Sequence, residues 1–105
     1  MIVMDKMKKS LTLIGLTNLE AEVYLKLLNK KQAKVSELAM ATRITRTQLY
    51  PLLEKLVEKG IVEKIDKKVI IYKVIEPVKL IKLLEKWESE QTKIIKEFKK
   101  YIKNR

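Results

Sequence analysis

The sequence predicts a mainly α fold with a small β-hairpin, closed by a long C-terminal helix. Three observations carry that prediction. Apolar residues recur three and four apart from Met4 to Val57; β-branched runs replace that rhythm between Ile61 and Ile75; and an unbroken four-three alternation then runs from Leu80 to Tyr101.

The elements follow in order. Met4, Met7, Leu11 and Ile14 make one face of a first helix, which Gly15 is placed to end. Thr17 and Glu20 have the spacing of a capping box, and Ala21, Tyr24, Leu25 and Leu28 share a stripe behind them, predicting a helix over 18–29. The polar run Asn29-Lys30-Lys31-Gln32 interrupts the pattern. Ser36 is an N-cap candidate for a short helix from Glu37 to Thr42, with Leu38 and Ala39 inward. Thr45 is the next N-cap candidate; behind it Leu49, Leu52, Leu53, Leu56 and Val57 repeat at helical spacing up to Gly60. Only Arg43-Ile44-Thr45 separates these two helices, so they must cross steeply and share a core, which is a helix-turn-helix. Pro51 falls inside the second of them, where it predicts either a kink or a separate, tighter first turn.

The runs 61–65 and 69–75 read as two strands joined by the basic tip Asp66-Lys67-Lys68. A lone hairpin is unstable in water, so this one must pack on the helices before it, and the arrangement becomes a winged helix. Residues 1–76 are expected to form this winged helix-turn-helix unit, and 77–105 a separate coiled-coil-like helix. Pro77 suits its first turn, and Leu80, Leu84, Trp87, Gln91, Ile94, Phe98 and Tyr101 keep one seam facing a partner helix. A helix of this length, about 40 Å at 1.5 Å per residue, outreaches a 76-residue unit, so the seam is expected to be covered by a second subunit in a homodimer.

Composition narrows the function. There is no Cys and no His among the 105 residues, so thiolate chemistry, disulfides, Cys-ligated zinc and the commonest general base are excluded. No metal site, cofactor or small-molecule ligand can be inferred, and the residue types argue against an enzyme. No apolar run approaches the roughly 20 residues needed to span a bilayer, and no secretory signal is visible at the start. A soluble, cytoplasmic protein with no membrane partner is expected. Twenty-four Lys and Arg against 13 acids give a net charge of +11, which attracts a polyanion. A thermophile's Lys-rich surface is the bland alternative, but that would add Glu alongside Lys.

If Leu49, Leu53, Leu56 and Val57 face inward, helical geometry turns Arg46, Thr47, Tyr50, Pro51 and Glu54 outward, with Gln48 on the flank. The first turn of such a helix is the part that reaches base edges in a major groove. Arg46 can bond guanine O6 and N7 together, Gln48 can pair with adenine, and Thr47 can meet a thymine methyl or a phosphate. Ser36 and Arg43, at the two ends of the preceding helix, together with Thr45 and Tyr50, suit contacts to the sugar-phosphate backbone. Lys67 and Lys68 would place charge on the flanking backbone from the wing, unless they serve only to blunt a sheet edge.

The stretch from Leu16 to Val74 resembles the DNA-binding domain of TrmB-like archaeal transcriptional regulators. The resemblance rests on a G-L-T-x-x-E-A-x-V-Y opening, here Gly15 to Tyr24, and on an R-x-x-x-Y-x-x-L-x-x-L-x-x-x-G helix followed by two apolar residues, here Arg46 to Val62. The Tyr50-Pro51-Leu52-Leu53 step is also similar to PadR-like regulators. The TrmB-like resemblance implies that Arg46, Thr47, Gln48 and Tyr50 contact DNA. It does not bring a sugar response, because the sequence ends at Arg105 without the sugar-binding domain of the larger family members. The expected function is therefore a homodimeric, sequence-specific regulator bound to double-stranded DNA. The alternatives are a DNA-coating protein without sequence preference and a winged-helix protein-interaction module.

Overall fold

The structure, a computed structural model, describes residues 2–105, with side chains from Met4 onward. Met1, where the expected N-terminal unit begins, lies outside the described residues. Five helices and three short strands follow one another: α1 (Ile2–Leu13), α2 (Asn18–Lys30), β1 (Gln32–Ala33), α3 (Val35–Thr42), α4 (Arg46–Glu58), β2 (Val62–Asp66), β3 (Ile70–Val74) and α5 (Pro77–Lys103).

Each boundary has a local cause. Gly15 turns the chain out of α1 at φ +103°, a conformation that L side chains rarely adopt. Thr17 and Glu20 form the capping box: the Thr17 hydroxyl accepts from the Glu20 N–H at 3.1 Å, and the Glu20 carboxylate accepts from the Thr17 N–H at 2.9 Å. That reciprocal bonding allows Glu20 to be buried. Gly60 performs the same C-terminal turn after α4, at φ +77°.

Two boundaries differ from the sequence expectation. α3 starts at Val35 rather than Glu37, and its N-cap is Lys34, not Ser36. Val35 is buried and draws the helix start back into the core, while the Glu37 carboxylate accepts from the Lys34 N–H at 2.9 Å and satisfies that end. The hairpin is also part of a larger sheet. β1 pairs antiparallel with β3, Gln32 opposite Lys73 and Ala33 opposite Tyr72, giving the order β1-β3-β2. The Val74 N–H donates to the Lys31 carbonyl at 2.9 Å beyond the last pair. A two-residue strand in a polar stretch has no periodicity to announce it.

The core is continuous. Tyr24, Leu27, Leu38, Leu49, Leu53, Leu56, Val62 and Tyr72 are fully buried and draw on α2, α3, α4 and both long strands. α5 is different in kind, since none of its 27 residues is buried. Its first turns rest on the body: Leu80 packs against the core, and Leu80 and Leu84 close a small apolar cavity of about 160 Å³ with Met7, Leu11, Leu25 and Leu28. The molecule is accordingly elongated, 62 × 27 × 22 Å. No helix among the described residues is long and apolar enough to cross a membrane.

Candidate nucleic-acid interface

The turn between α3 and α4 is tied from inside. Buried Thr42 donates its hydroxyl to the Leu38 carbonyl at 2.7 Å and accepts from the Ile44 N–H at 3.2 Å. Arg43 takes the left-handed conformation, φ +63°, with its N–H on the Ala39 carbonyl at 3.0 Å, and leaves its side chain exposed. An arginine in that conformation costs of the order of 1–2 kcal/mol. Ile44 then anchors the connection in the core.

Thr45 caps α4 as expected. Its hydroxyl oxygen accepts from the Gln48 N–H at 3.3 Å, and the Gln48 amide oxygen accepts from the Thr45 N–H at 3.4 Å and hydroxyl at 3.2 Å. The cap changes what Gln48 can do. With its oxygen engaged by Thr45, two-point pairing with adenine requires releasing the cap. The N–H groups of Arg46 and Thr47 lie ahead of the first intrahelical bonds, and no acid occupies this turn. Free amides and the positive end of the helix dipole therefore coincide with the Arg46 guanidinium, which favours an anion there.

α4 runs as one helix from Arg46 to Glu58 with Pro51 inside it, so the separate first turn does not occur. Pro51 has no N–H to give the Thr47 carbonyl, and both residues are exposed.

A shallow groove of about 300 Å³ brings the separate segments together. It is lined by Lys34 and Ser36 at the start of α3, Arg46 and Tyr50 on α4, and Lys68 and Val69 at the wing, with Val35 and Ile70 behind them. Four of the expected site residues, Ser36, Arg46, Tyr50 and Lys68, thus line one surface. Three of its lining residues are cations and none is an acid. Thr47 and Lys67 are exposed, at the first turn of α4 and the wing tip, but do not line the groove. Lys34 and Val69 were not anticipated. The tip itself is shifted by one residue, because Asp66 is still in β2, opposite Ile70, and the turn is Lys67-Lys68-Val69.

The wing is held against α4 by Glu54. Its carboxylate accepts from the buried Tyr72 hydroxyl at 3.4 Å and lies 3.5 Å from the Lys64 ammonium. Burial first, and then the negative charge of Glu54, push the Tyr72 hydroxyl up to about 12. Tyr72 therefore stays a neutral donor to Glu54 at any physiological pH.

The seam residues of α5 fall into two groups. Leu80, Leu84, Trp87 and Gln91 are half-buried, with Trp87 beside Ile14 and Gly15 at the end of α1. Ile94, Phe98 and Tyr101 are bare, with Phe98 62% and Tyr101 65% exposed. Among the described residues no group of three or more metal-ligating side chains comes together.

Comparison with known proteins gives the fold and the family. The family model described as "Sugar-specific transcriptional regulator TrmB" matches residues 11–78. No curated protein matches the chain significantly. Among solved structures, a possible transcriptional regulator from Methanosarcina mazei is similar at TM-score 0.72 and 19% identity, covering 86% of this chain and 82% of its own. A protein from the thermoacidophilic archaeon Sulfolobus tokodaii is similar at TM-score 0.76 and 19% identity, covering 88% and 97%. TrmBL2, described as an archaeal chromatin protein with a novel mode of DNA binding, is similar at TM-score 0.70 and 23% identity over 96% of this chain, which spans 39% of TrmBL2. The fold is thus the winged helix of DNA-binding transcription regulators, and by the family match over most of its length the chain belongs to the TrmB family.

Proposed function

We propose that this protein reads a preferred sequence in double-stranded DNA as a homodimer and so regulates transcription. In this reading residues 1–76 are the DNA-binding unit and 77–105 the dimerisation helix. The first turn of α4 enters the major groove, with Arg46 on a guanine and Thr47 and Gln48 beside it. Ser36, Arg43, Thr45 and Tyr50 hold the phosphate backbone, and Lys67 and Lys68 follow the flanking backbone from the wing. The observation that carries it is the acid-free groove in which Ser36, Arg46, Tyr50 and Lys68 meet. The bare half of the α5 seam supports the dimer, because a two-fold pair would cover it and match two half-sites.

The test is competition binding at a stated salt concentration, after selecting a preferred duplex from a random library. Arg46→Ala is expected to weaken the preferred duplex by about 1–3 kcal/mol and to relax the preference at one base pair. Equal loss on preferred and random duplexes rejects base reading. That result would favour a second reading, DNA coating without sequence choice, which the +11 charge and the likeness to a protein described as chromatin both support.

A further inference from the structure

The outward side of α5 carries a second pattern. Lys79, Lys82, Lys86, Lys93, Lys96, Lys100 and Lys103 follow one another at spacings of three, four, seven, three, four and three, with only Ser89 in the gap. At 100° per residue this row lies opposite the stripe of Leu84, Ile94, Phe98 and Tyr101, so the helix has an apolar edge and a lysine edge back to back. All seven lysines are exposed. Glu85, Glu90 and Glu97 stand at the margins of the row at helical spacing, yet among the described residues no carboxylate comes within 4.0 Å of any α5 lysine. Beyond Gln91, where the helix leaves the body, Lys99 broadens the row and Glu97 is the only acid.

A coiled-coil helix that needs only solubility mixes both signs on its outer face, and an ion-pair network would bring Glu into the row. Here the seven lysines outnumber the three flanking acids, and past Gln91 only Glu97 stands among them. The row extends over 25 residues, about 36 Å from end to end at 1.5 Å per residue, close to one turn of duplex DNA. We infer that the lysine edge of α5 is a second duplex-binding surface, gripping phosphates without reading sequence and separable from the α4 groove. A bilayer is a poorer fit, because a membrane-surface helix inserts its apolar edge, and here that edge is the proposed dimer seam. The inference rests on the dimer reading only in that pairing would leave the lysines outside.

The experiment uses the full chain and a random-sequence duplex titrated between 50 and 200 mM salt. The variant combines Lys93→Gln, Lys96→Gln, Lys100→Gln and Lys103→Gln; glutamine keeps helix propensity, and circular dichroism checks the fold. A charge-matched control carries Lys6→Gln, Lys9→Gln, Lys26→Gln and Lys30→Gln. The ridge variant is expected to flatten the slope of log K against log salt by about 2–4, as for the loss of that many phosphate contacts, and the control by less than about 1. The ratio of preferred to random affinity should stay unchanged in the ridge variant, whereas Arg46→Ala alters that ratio. Equal slopes in ridge variant and control overturn the inference. So does ridge-dependent binding to vesicles with anionic headgroups in the absence of ridge-dependent binding to duplex. A preference ratio of one in the wild type, with the ridge effect intact, instead removes sequence reading and leaves the ridge standing.

Discussion

The winged-helix body and the C-terminal helix are built from similar residues but meet different fates. In the body, helices of 8–13 residues bury Leu27, Leu38, Leu49, Leu53 and Leu56 completely against one another and against Tyr72 of the sheet. In α5, 27 residues carry an apolar stripe at least as regular, yet none is buried, and past Gln91 every residue of the stripe is exposed. Periodicity states that a face must be covered. Only the length of the element against the size of its neighbours decides whether the same chain can cover it.

The first way to break this comparison is in the body. Leu53→Ala removes a side chain with no exposure from the centre of α4 and is expected to cost about 2–5 kcal/mol in urea unfolding. A loss below about 1 kcal/mol would mean that the core is looser than described. The matching truncation in α5, Phe98→Ala, should leave the unfolding of an isolated protomer nearly unchanged, because Phe98 is mostly exposed there. In a dimer it should weaken association by about 2 kcal/mol, read by sedimentation across a concentration series. No change in association would place the interface elsewhere.

A smaller effect tests the join between α4 and the hairpin. Tyr72→Phe deletes the 3.4 Å hydrogen bond to Glu54 and should cost about 0.5–1.5 kcal/mol at neutral pH. It also has a pH signature. The Tyr72 hydroxyl titrates near 10 in the unfolded chain and near 12 in the folded one, so between those values the unfolded chain releases a proton that the folded chain keeps. Stability is therefore constant on this account up to about pH 10 and declines from there to about pH 12. Burial also raises the Tyr24 hydroxyl, so Tyr72→Phe should lessen the decline without abolishing it. An identical alkaline decline in the variant would show that the folded protein does not hold the Tyr72 hydroxyl above its ordinary range.

Much of the fold was legible because it is local. The Thr17–Glu20 box and the Thr45 cap mark helix starts by side-chain chemistry alone, and Gly15 and Gly60 mark ends by their backbone freedom. What was not legible depends on residues distant in the chain. β1 exists because Ala33 finds Tyr72 across 39 positions, and nothing between Asn29 and Ala33 signals it. Ser36 looked like the cap of α3, but the burial of Val35, a tertiary effect, moved the start to Lys34. At the candidate interface Arg46 and Tyr50 followed from the helical wheel. Lys34 and Val69 did not, because only the packing of α3 and the wing against α4 brings them to the same groove. Gln48 was read correctly as lying at the start of α4, but its amide oxygen serves the cap. The division of the α5 seam at Gln91 reflects where the body ends, which periodicity does not encode.

Hydroxyl-radical footprinting of the selected duplex, bound by the wild-type chain, tests whether a pair of α4 helices holds it. Two protected patches on one face of the duplex, centred about one helical turn or a multiple of it apart, are expected if paired α4 helices enter successive major grooves. Uniform protection along the whole duplex, unchanged by Arg46→Ala, would contradict that arrangement.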